Sequence, residues 1–242
     1  MITIDLDSLF QNAKDHLVDL LFPPKCIFCR KNLLRASEFG GAPKHASGNA
    51  PAVCFACETA HPLVGWVNGA TKLGPGLVPV DGVFAGCEYT ELVKSAVVRL
   101  KFYEVTGAAK PLAYMMARGL RHYADLFDFV IPVPLSRERL ASRGFNQSEL
   151  ISAEICRLIQ TPLDAKSLLR VRHTKKQSLT KGQERLENVS SAFQVSGNSI
   201  AGKRVLIIDD VLTTGSTAAE CARILRAAGA TKIYVAVVAL AI

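Results

Sequence analysis

VLIIDDVLTTGST, residues 205–217, is the stretch that decides the fold of this chain. Its first four residues are apolar, which suits a strand buried on both faces of a parallel sheet. Asp209 and Asp210 follow at the carboxyl end of that strand, where open α/β sheets bind their ligands. A short turn then leads into a helix, and the backbone N–H groups at a helix start form an anion site. The stretch therefore predicts a strand, a phosphate-binding turn and a helix.

The chemistry of the turn supports a phosphorylated sugar as ligand. Gly215 lets the backbone approach a phosphate closely, and the aspartates suit ribose hydroxyls, directly or through a magnesium ion. A plain strand–turn–helix with two solvated aspartates is the alternative. The chain has no G-x-x-x-x-G-K-[ST], so a Walker-type loop is excluded. The hydroxyl donors of the turn are Thr213, Thr214, Ser216 and Thr217.

Outward from this stretch, strands and helices alternate from residue 80 onward, which is typical of an α/β domain. The first 75 residues differ, because they hold two Cys-x-x-Cys pairs and a Gly/Ala/Ser/Pro stretch without apolar periodicity. We therefore expect a small N-terminal domain over 1–75 and an α/β domain over 76–242. A helix with Ser148 as its cap is expected over 148–160.

The charge is uneven along the 242 residues. The chain carries a net charge of +8, and its segment 130–186 has eleven Lys and Arg against five Asp and Glu. Such basicity suits a phosphorylated metabolite and equally suits nucleic acid.

All thirteen positions of 205–217 resemble the signature by which type I phosphoribosyltransferases bind 5-phosphoribosyl-1-pyrophosphate (PRPP). The resemblance implies a Rossmann-like, mainly parallel sheet flanked by helices, with Asp209 and Asp210 as the catalytic pair that holds the ribose hydroxyls. It also implies that Mg²⁺ accompanies PRPP. The PRPP-binding residues by this resemblance are Asp209, Asp210, Val211, Leu212, Thr213, Thr214, Gly215, Ser216 and Thr217.

The basic segment resembles two further parts of such enzymes. PVPLSRER, 132–139, takes the place of the pyrophosphate loop, with Arg137 and Arg139 as its candidates; a solvated basic helix start is the alternative. Residues 170–185 resemble the flexible hood that closes over PRPP, with Lys175 and Lys176 against the pyrophosphate. Nucleic-acid contact through those lysines is the alternative.

Several stretches together narrow the family. LKFYE (100–104), PVPLSRERLASRGFNQSELI (132–151), a run over 177–193 and the paired cysteines resemble the ComF/GntX family of competence-associated phosphoribosyltransferase-like proteins. The resemblance implies the handling of imported single-stranded DNA during natural transformation, with a DNA-processing protein as a further partner. An acceptor or partner surface is expected at Arg143, Asn146 and Gln147.

The two Cys-x-x-Cys pairs lie 24 residues apart, close to zinc-ribbon spacing. Four thiolates in a tetrahedron predict a closed structural zinc site, and an iron–sulfur cluster is the alternative. The chain has no run of about 18 apolar residues, and its first 22 residues suit an amphipathic helix rather than a signal peptide. We therefore expect a cytoplasmic protein without membrane insertion. The predicted metal ligands are Cys26, Cys29, Cys54 and Cys57.

Two functions fit these patterns, and the sequence leaves the oligomeric state open. The first is a phosphoribosyltransferase, a glycosyltransferase of the pentosyl type, acting on PRPP and an acceptor. The second is a non-catalytic module that senses PRPP while it binds DNA or a protein. A purely structural zinc adaptor is a third reading, but it gives the 205–217 stretch no purpose.

Overall fold

The computed structural model describes residues 25–33, 53–67, 80–102, 106–171, 192–197 and 199–241. The chain divides into two compact units, Met1–His61 and Pro62–Ile242. Two 3₁₀ helices, Thr106–Ala108 and Arg121–Leu126, flank one of the α-helices. The other elements, in chain order, are α1 (Phe55–Ala60), β1 (Gly65–Val67), β2 (Gly82–Glu88), α2 (Glu91–Phe102), α3 (Ala109–Leu120), β3 (Phe129–Pro132), α4 (Arg137–Arg143), α5 (Gln147–Ile159), β4 (Leu168–Arg170), β5 (Phe193–Val195), β6 (Arg204–Leu212), α6 (Ser216–Ala227) and β7 (Lys232–Leu240).

A five-stranded sheet in the order β1-β2-β7-β6-β3 forms the centre of the larger unit. Strands β2, β7, β6 and β3 are parallel, and only β1 runs antiparallel, at the edge. The structure thus confirms the predicted α/β fold with a mainly parallel sheet. It also confirms the buried central strand, because residues 205–208 of β6 are fully buried between β7 and β3.

Both faces of the sheet are covered, which explains why β6 is apolar without alternation. On one face, Val205 and Ile207 join a core that includes Leu168 of β4, Phe193 of β5 and Leu225 of α6. Since successive strand residues face opposite sides, the even positions of β6 face the side on which α3 and α5 pack. Polar side chains of β6 and of neighbouring helices contact one another at the carboxyl edge of the sheet.

The sequence predicts that residues 65–67 belong to the N-terminal domain. In the structure they form strand β1, which pairs with β2 in the sheet of the larger unit. Trp66 accounts for this, since it packs edge-to-face on Phe84 and Tyr234 at centroid distances of 5.7 and 5.6 Å. Residues 68–79 lie outside the described residues, so the boundary at 75/76 stays a prediction.

The helix predicted to start at a Ser148 cap begins instead at Gln147, with Asn146 as its N-cap. The Asn146 side chain accepts from the Ser148 N–H at 3.1 Å and donates to the Val133 carbonyl at 3.1 Å. The Asn146 amide thus caps the helix with its oxygen and fixes the preceding loop with its NH₂ group, while the Ser148 hydroxyl donates to Asp209 instead.

Some predicted features fall on residues that the structure does not describe. The N-terminal amphipathic helix lies outside the described residues, and so does the hood loop from residue 172 onward, with Lys175 and Lys176; Arg170, at its expected start, is the last residue of β4. Within the described part of the chain, no helix has the length and apolar character that crossing a membrane requires.

Candidate functional site

The four predicted metal-binding cysteines come together in the smaller unit. One pair lies in the turn around residues 26–29, and the other lies at the start of α1. All four sulfur atoms lie within 4.8 Å of one another, and only Cys29 is not buried. The Cys29 and Cys54 sulfur atoms are 3.6 Å apart. Such a compact set of thiols is able to hold one metal ion.

The thiol pKa values in this cluster differ with surroundings. Burial raises the pKa of Cys29, but a backbone hydrogen bond at Lys31 and hydrogen bonds with the other cysteines outweigh it and bring the pKa to about 7. Burial raises the pKa of Cys57 and Cys54. Cys29 therefore has a lower pKa than Cys54 and Cys57, and a bound cation would favour the thiolate form of those two.

At the other site, Asp210 is a buried carboxylate with both oxygens in use. Lys101, at the end of α2, donates from Nζ to Oδ1 at 2.8 Å. Gln147, at the start of α5, donates from Nε2 to Oδ2 at 2.9 Å. The Asp210 side chain is 6% exposed and that of Lys101 is 24% exposed, so this ion pair is sheltered from water.

Asp209 is half-buried and has a different set of partners. Its Oδ1 accepts from the Ser148 hydroxyl at 3.1 Å and from the Asp210 backbone N–H at 2.9 Å. No described residue donates a hydrogen bond to its Oδ2. Burial, and next the negative charge of Asp210, raise the pKa of Asp209 to about 7. The pair therefore consists of one satisfied carboxylate and one that has a free oxygen and a raised proton affinity.

The turn after β6 is open to a ligand. Thr213 and Thr214 are exposed, and the hydroxyls of Thr214 and Ser216 lie 3.0 Å apart. Gly215 adopts φ 74°, a left-handed conformation that favours glycine, and is the N-cap of the twelve-residue α6 without a side-chain cap. The first turn of α6 contains no acidic residue, and its N–H groups have no intrahelical acceptor. These features favour an anion at the turn.

The two arginines predicted for the pyrophosphate lie in the first turn of α4. Ser136 caps this helix by accepting from the Arg139 N–H at 3.4 Å. Arg137 is exposed and lines a cavity of about 510 Å³. Arg139 lines a different cavity of about 710 Å³, together with Lys101 and Gln147. Of these two arginines, only Arg139 therefore lines the same cavity as Lys101 and Gln147, which contact Asp210.

Of the three residues predicted for an acceptor or partner surface, Asn146 and Gln147 are buried. Arg143 is half-buried, lines the 710 Å³ cavity and lies over the Phe102 ring at 5.1 Å. It also donates from Nη1 to the Gln147 Oε1 at 2.5 Å. Arg143 and Gln147 thus support the acidic pair from α4 and α5. The role of the three residues toward an acceptor stays a prediction.

Sequence reasoning missed Lys101 and Ser148 as contacts of the acidic pair. Lys101 lies 109 positions before Asp210, so no local spacing connects them. The only signal was that LKFYE, which contains Lys101, was among the stretches that resembled the family.

The chain is similar to several known proteins. A profile of the "Phosphoribosyl transferase domain" matches residues 142–241. "Competence protein F" of Haemophilus influenzae is 34% identical over 154 residues, covering 61% of this chain and 67% of that protein. "DNA utilization protein YhgH" of Escherichia coli K12 is 31% identical over 153 residues, with the same coverages. "Competence protein ComFC" of Bacillus subtilis is 34% identical over 139 residues, covering 55% of this chain and 54% of that protein. At this identity and coverage, the chain belongs to the ComF family and carries a phosphoribosyltransferase domain.

Proposed function

We propose that this protein binds PRPP at the carboxyl end of β6. The observation that supports this most is the acidic pair followed directly by an uncapped, hydroxyl-lined helix start. The 5-phosphate lies at residues 213–217, where backbone N–H groups and hydroxyls donate to its oxygens. The ribose hydroxyls donate to the free oxygen of Asp209. Mg²⁺ enters with the phosphates of PRPP, which suit its preference for phosphate and carboxylate oxygens.

Transfer of the phosphoribosyl group to an acceptor is the activity we infer for this site. Arg139 lines a cavity together with Lys101 and Gln147, which contact Asp210. This supports a role for its guanidinium in stabilising the charge of a departing pyrophosphate. Arg137 lines the other cavity, and its role stays a prediction.

A non-catalytic, PRPP-sensing adaptor is the second candidate. It is favoured by the positive character of α4, where three arginines accompany one glutamate. The described side chains that hydrogen-bond to the acidic pair, moreover, are an ammonium, an amide and a hydroxyl, and none is a histidine, the residue that acts most often as a general base. Such a module responds to PRPP and passes the response to a bound nucleic acid or protein. Detection of pyrophosphate release separates the two candidates.

We propose that the four cysteines hold a structural zinc ion. Zinc–sulfur bonds of about 2.3 Å in a tetrahedron place the sulfur atoms about 3.8 Å apart, and the observed 3.6 Å between Cys29 and Cys54 is close to that spacing. The four thiols fill all positions of a tetrahedral ion, so the site leaves none open for a substrate. Its role is to fold the smaller unit.

The names of the relatives suggest the cellular setting. "Competence protein F" and "DNA utilization protein YhgH" name proteins of DNA uptake and use. We propose that this chain acts in the same setting, in the cytoplasm, on imported single-stranded DNA and with a DNA-processing protein. Expression of the chain in Haemophilus influenzae that lacks Competence protein F tests this, since restored transformation supports the proposal and continued loss contradicts it.

A thermal-shift titration with PRPP and Mg²⁺ tests the ligand. A ligand at about 100 times its Kd stabilises a fold by about 2.7 kcal/mol, which is a clear shift in Tm. We expect this shift in the wild type and its loss in a Thr214→Val, Asp209→Asn double variant. The matched control is Thr231→Val, whose hydroxyl bonds to carbonyls at the opposite end of the sheet. Absence of a shift in the wild type contradicts the proposal.

A further inference from the structure

We propose that Lys101 is the resident cation of the acidic pair. Its ammonium occupies the place on Asp210 that a divalent cation would otherwise take, so the free protein binds no Mg²⁺ there. Lys101 also determines that Asp209, rather than Asp210, contacts the ligand. It is a positioning residue, because it acts on the ligand through Asp210.

Both carboxylate oxygens of Asp210 accept hydrogen bonds from donors within the chain. A carboxylate has two oxygens, and here Lys101 takes Oδ1 at 2.8 Å while Gln147 takes Oδ2 at 2.9 Å. A Mg²⁺ ligand must approach to about 2.0–2.1 Å. Each oxygen keeps a second lone pair, but a Mg²⁺ ion on Asp210 would stand close to the Lys101 ammonium, and the two positive charges would repel each other. The residues present do not fit a metal bound directly to Asp210.

The orientation of the Gln147 amide is fixed from its other side. Arg143 donates to the Gln147 Oε1 at 2.5 Å, and a guanidinium only donates. The amide NH₂ group must consequently face Asp210, because a flipped amide would bring two donors together. Asp210 is thus held by an ordered chain of donors from α2, α4 and α5.

Burial makes the ammonium contact more than a surface salt bridge. Asp210 is almost fully buried, and Lys101 has only 24% of its side chain exposed. Val97 and Leu100, on the last turns of α2, are 1% and 0% exposed, which anchors the helix end that carries Lys101. Two neighbouring carboxylates at the end of one strand need a counter-charge when they are sheltered from water. Lys101 supplies it from within the chain.

Asp209 is left as the carboxylate that meets the ligand. Both of its described hydrogen bonds are on Oδ1, and Oδ2 accepts none from the described residues. Hydroxyl groups of a ribose donate to such an oxygen, whereas each oxygen of the buried Asp210 already accepts from an internal donor. This deepens the proposed function, on which it rests: the sugar is held by Asp209, and any Mg²⁺ arrives on the phosphates of the ligand.

Titration with Mg²⁺ or Mn²⁺ alone tests the proposal without any ligand. We expect no change in the Tm of the wild type, and a rise of about 3 °C or more in Lys101→Met, because the pair then lacks its cation. Lys101→Arg should restore the wild-type response. The matched control, Lys94→Met, lies on the same helix and pairs with the exposed Glu91; it should behave as the wild type.

Two outcomes overturn the proposal: a metal-induced rise in the wild type as large as in the variant, or no rise in Lys101→Met. If Lys101→Met does not fold, Lys101→Gln serves instead, because its amide still donates to Asp210 but carries no charge. A purely structural lysine would change the Tm of the free protein without changing its response to metal.

A PRPP titration without and with added Mg²⁺, in buffer free of chelator so that the cysteine cluster keeps its ion, connects the lysine to the ligand. We expect Lys101→Met to bind PRPP at least tenfold more weakly than the wild type without Mg²⁺, and added Mg²⁺ to recover most of that loss. Absence of PRPP binding in the wild type contradicts the proposed function alone, because the metal titration still decides the role of Lys101. Binding in the wild type, with the same ratio of affinities without and with Mg²⁺ in the variant, contradicts the role of Lys101.

Discussion

The four-cysteine cluster and the carboxyl edge of β6 are both groups of polar atoms, yet they are built in opposite ways. In the cluster the four sulfur atoms face one another within 4.8 Å. At the sheet edge, Asp210 accepts from two internal donors, while Asp209 has one oxygen to which no described residue donates and the turn has exposed hydroxyls. We infer that the closed set of thiols serves the fold and that the open set of polar groups serves a ligand.

This difference indicates where substitutions should act. Changes in the cysteine cluster should remove stability outright, because a structural metal supplies folding free energy. Changes at the edge should separate into those that remove an internal partner, which cost stability, and those that affect the open groups, which cost binding. The predictions below test that separation, beginning with the largest effect.

Loss of the metal should have the largest effect on stability. Cys57→Ser, or treatment with a strong chelator, removes a ligand or the ion and should cost the smaller unit on the order of 10 kcal/mol, which unfolds it. Metal analysis should find one ion per chain in the wild type and none in the variant, with increased protease cleavage within residues 1–61. Cys156→Ser, outside the cluster, should keep the metal. A folded, metal-free Cys57→Ser protein contradicts the closed-site account.

Asp210→Ala should be the most destabilising change at the sheet edge. It leaves the Lys101 ammonium and the Gln147 amide without their acceptor, at a cost of about 2–3 kcal/mol. Urea unfolding measures it. The comparison variant is Glu91→Gln, which removes an exposed ion pair with Lys94 and should cost less than about 0.5 kcal/mol. Equal effects in the two variants would show that the Asp210 pair is not sheltered.

Asp209→Asn should stabilise the protein above neutral pH. The folded-state pKa of about 7 exceeds that of an unfolded Asp, about 3.9, so the folded form binds the proton more tightly. The contribution of the protonated Asp209 to the free energy of unfolding is fully present below about pH 4, and it is lost as the pH rises to about 7. We expect the Asn variant to be more stable by about 1–2 kcal/mol at pH 8, with no difference near pH 4.

Asp164→Asn provides the opposite slope as a control. Burial raises the pKa of Asp164, but hydrogen bonds from Ser167 and Lys166 outweigh it and hold the pKa below the usual range. Its contribution is present above the unfolded pKa and is lost as the pH falls, so this variant should be destabilised at pH 8. Thermal unfolding across pH 4–8 measures both variants. Parallel curves for both would contradict the raised pKa of Asp209.

Gly215→Ala should have the smallest effect on stability and a clear effect on binding. Its φ of 74° costs a residue with a Cβ about 1 kcal/mol, and the methyl group stands where a phosphate would approach the backbone. Gly107→Ala is the control, because Gly107 has open space and no positive φ. Thermal unfolding and PRPP titration measure both. Unchanged PRPP affinity in Gly215→Ala would place the phosphate elsewhere.

The strand, the turn and the metal ligands could be predicted because their signals are local. Four apolar residues, two aspartates and a Thr-Thr-Gly turn lie within thirteen positions, and each cysteine pair is a short motif. The donors to the acidic pair could not be predicted in this way. Lys101 contacts Asp210 because α2 ends near the carboxyl end of β6. Gln147 contacts Asp210 from the first position of α5, since Asn146, rather than Ser148, is the N-cap of that helix.

Backbone amide NMR of the wild type during a PRPP titration tests the central claim most directly. We predict saturable shifts for the amides of residues 213–217 and for Asp209, with Asp81 and Lys232 unchanged, because these two pair with each other away from the carboxyl edge of β6. Shifts absent from 213–217, or confined to other parts of the chain, would contradict the claim that this turn holds the phosphate.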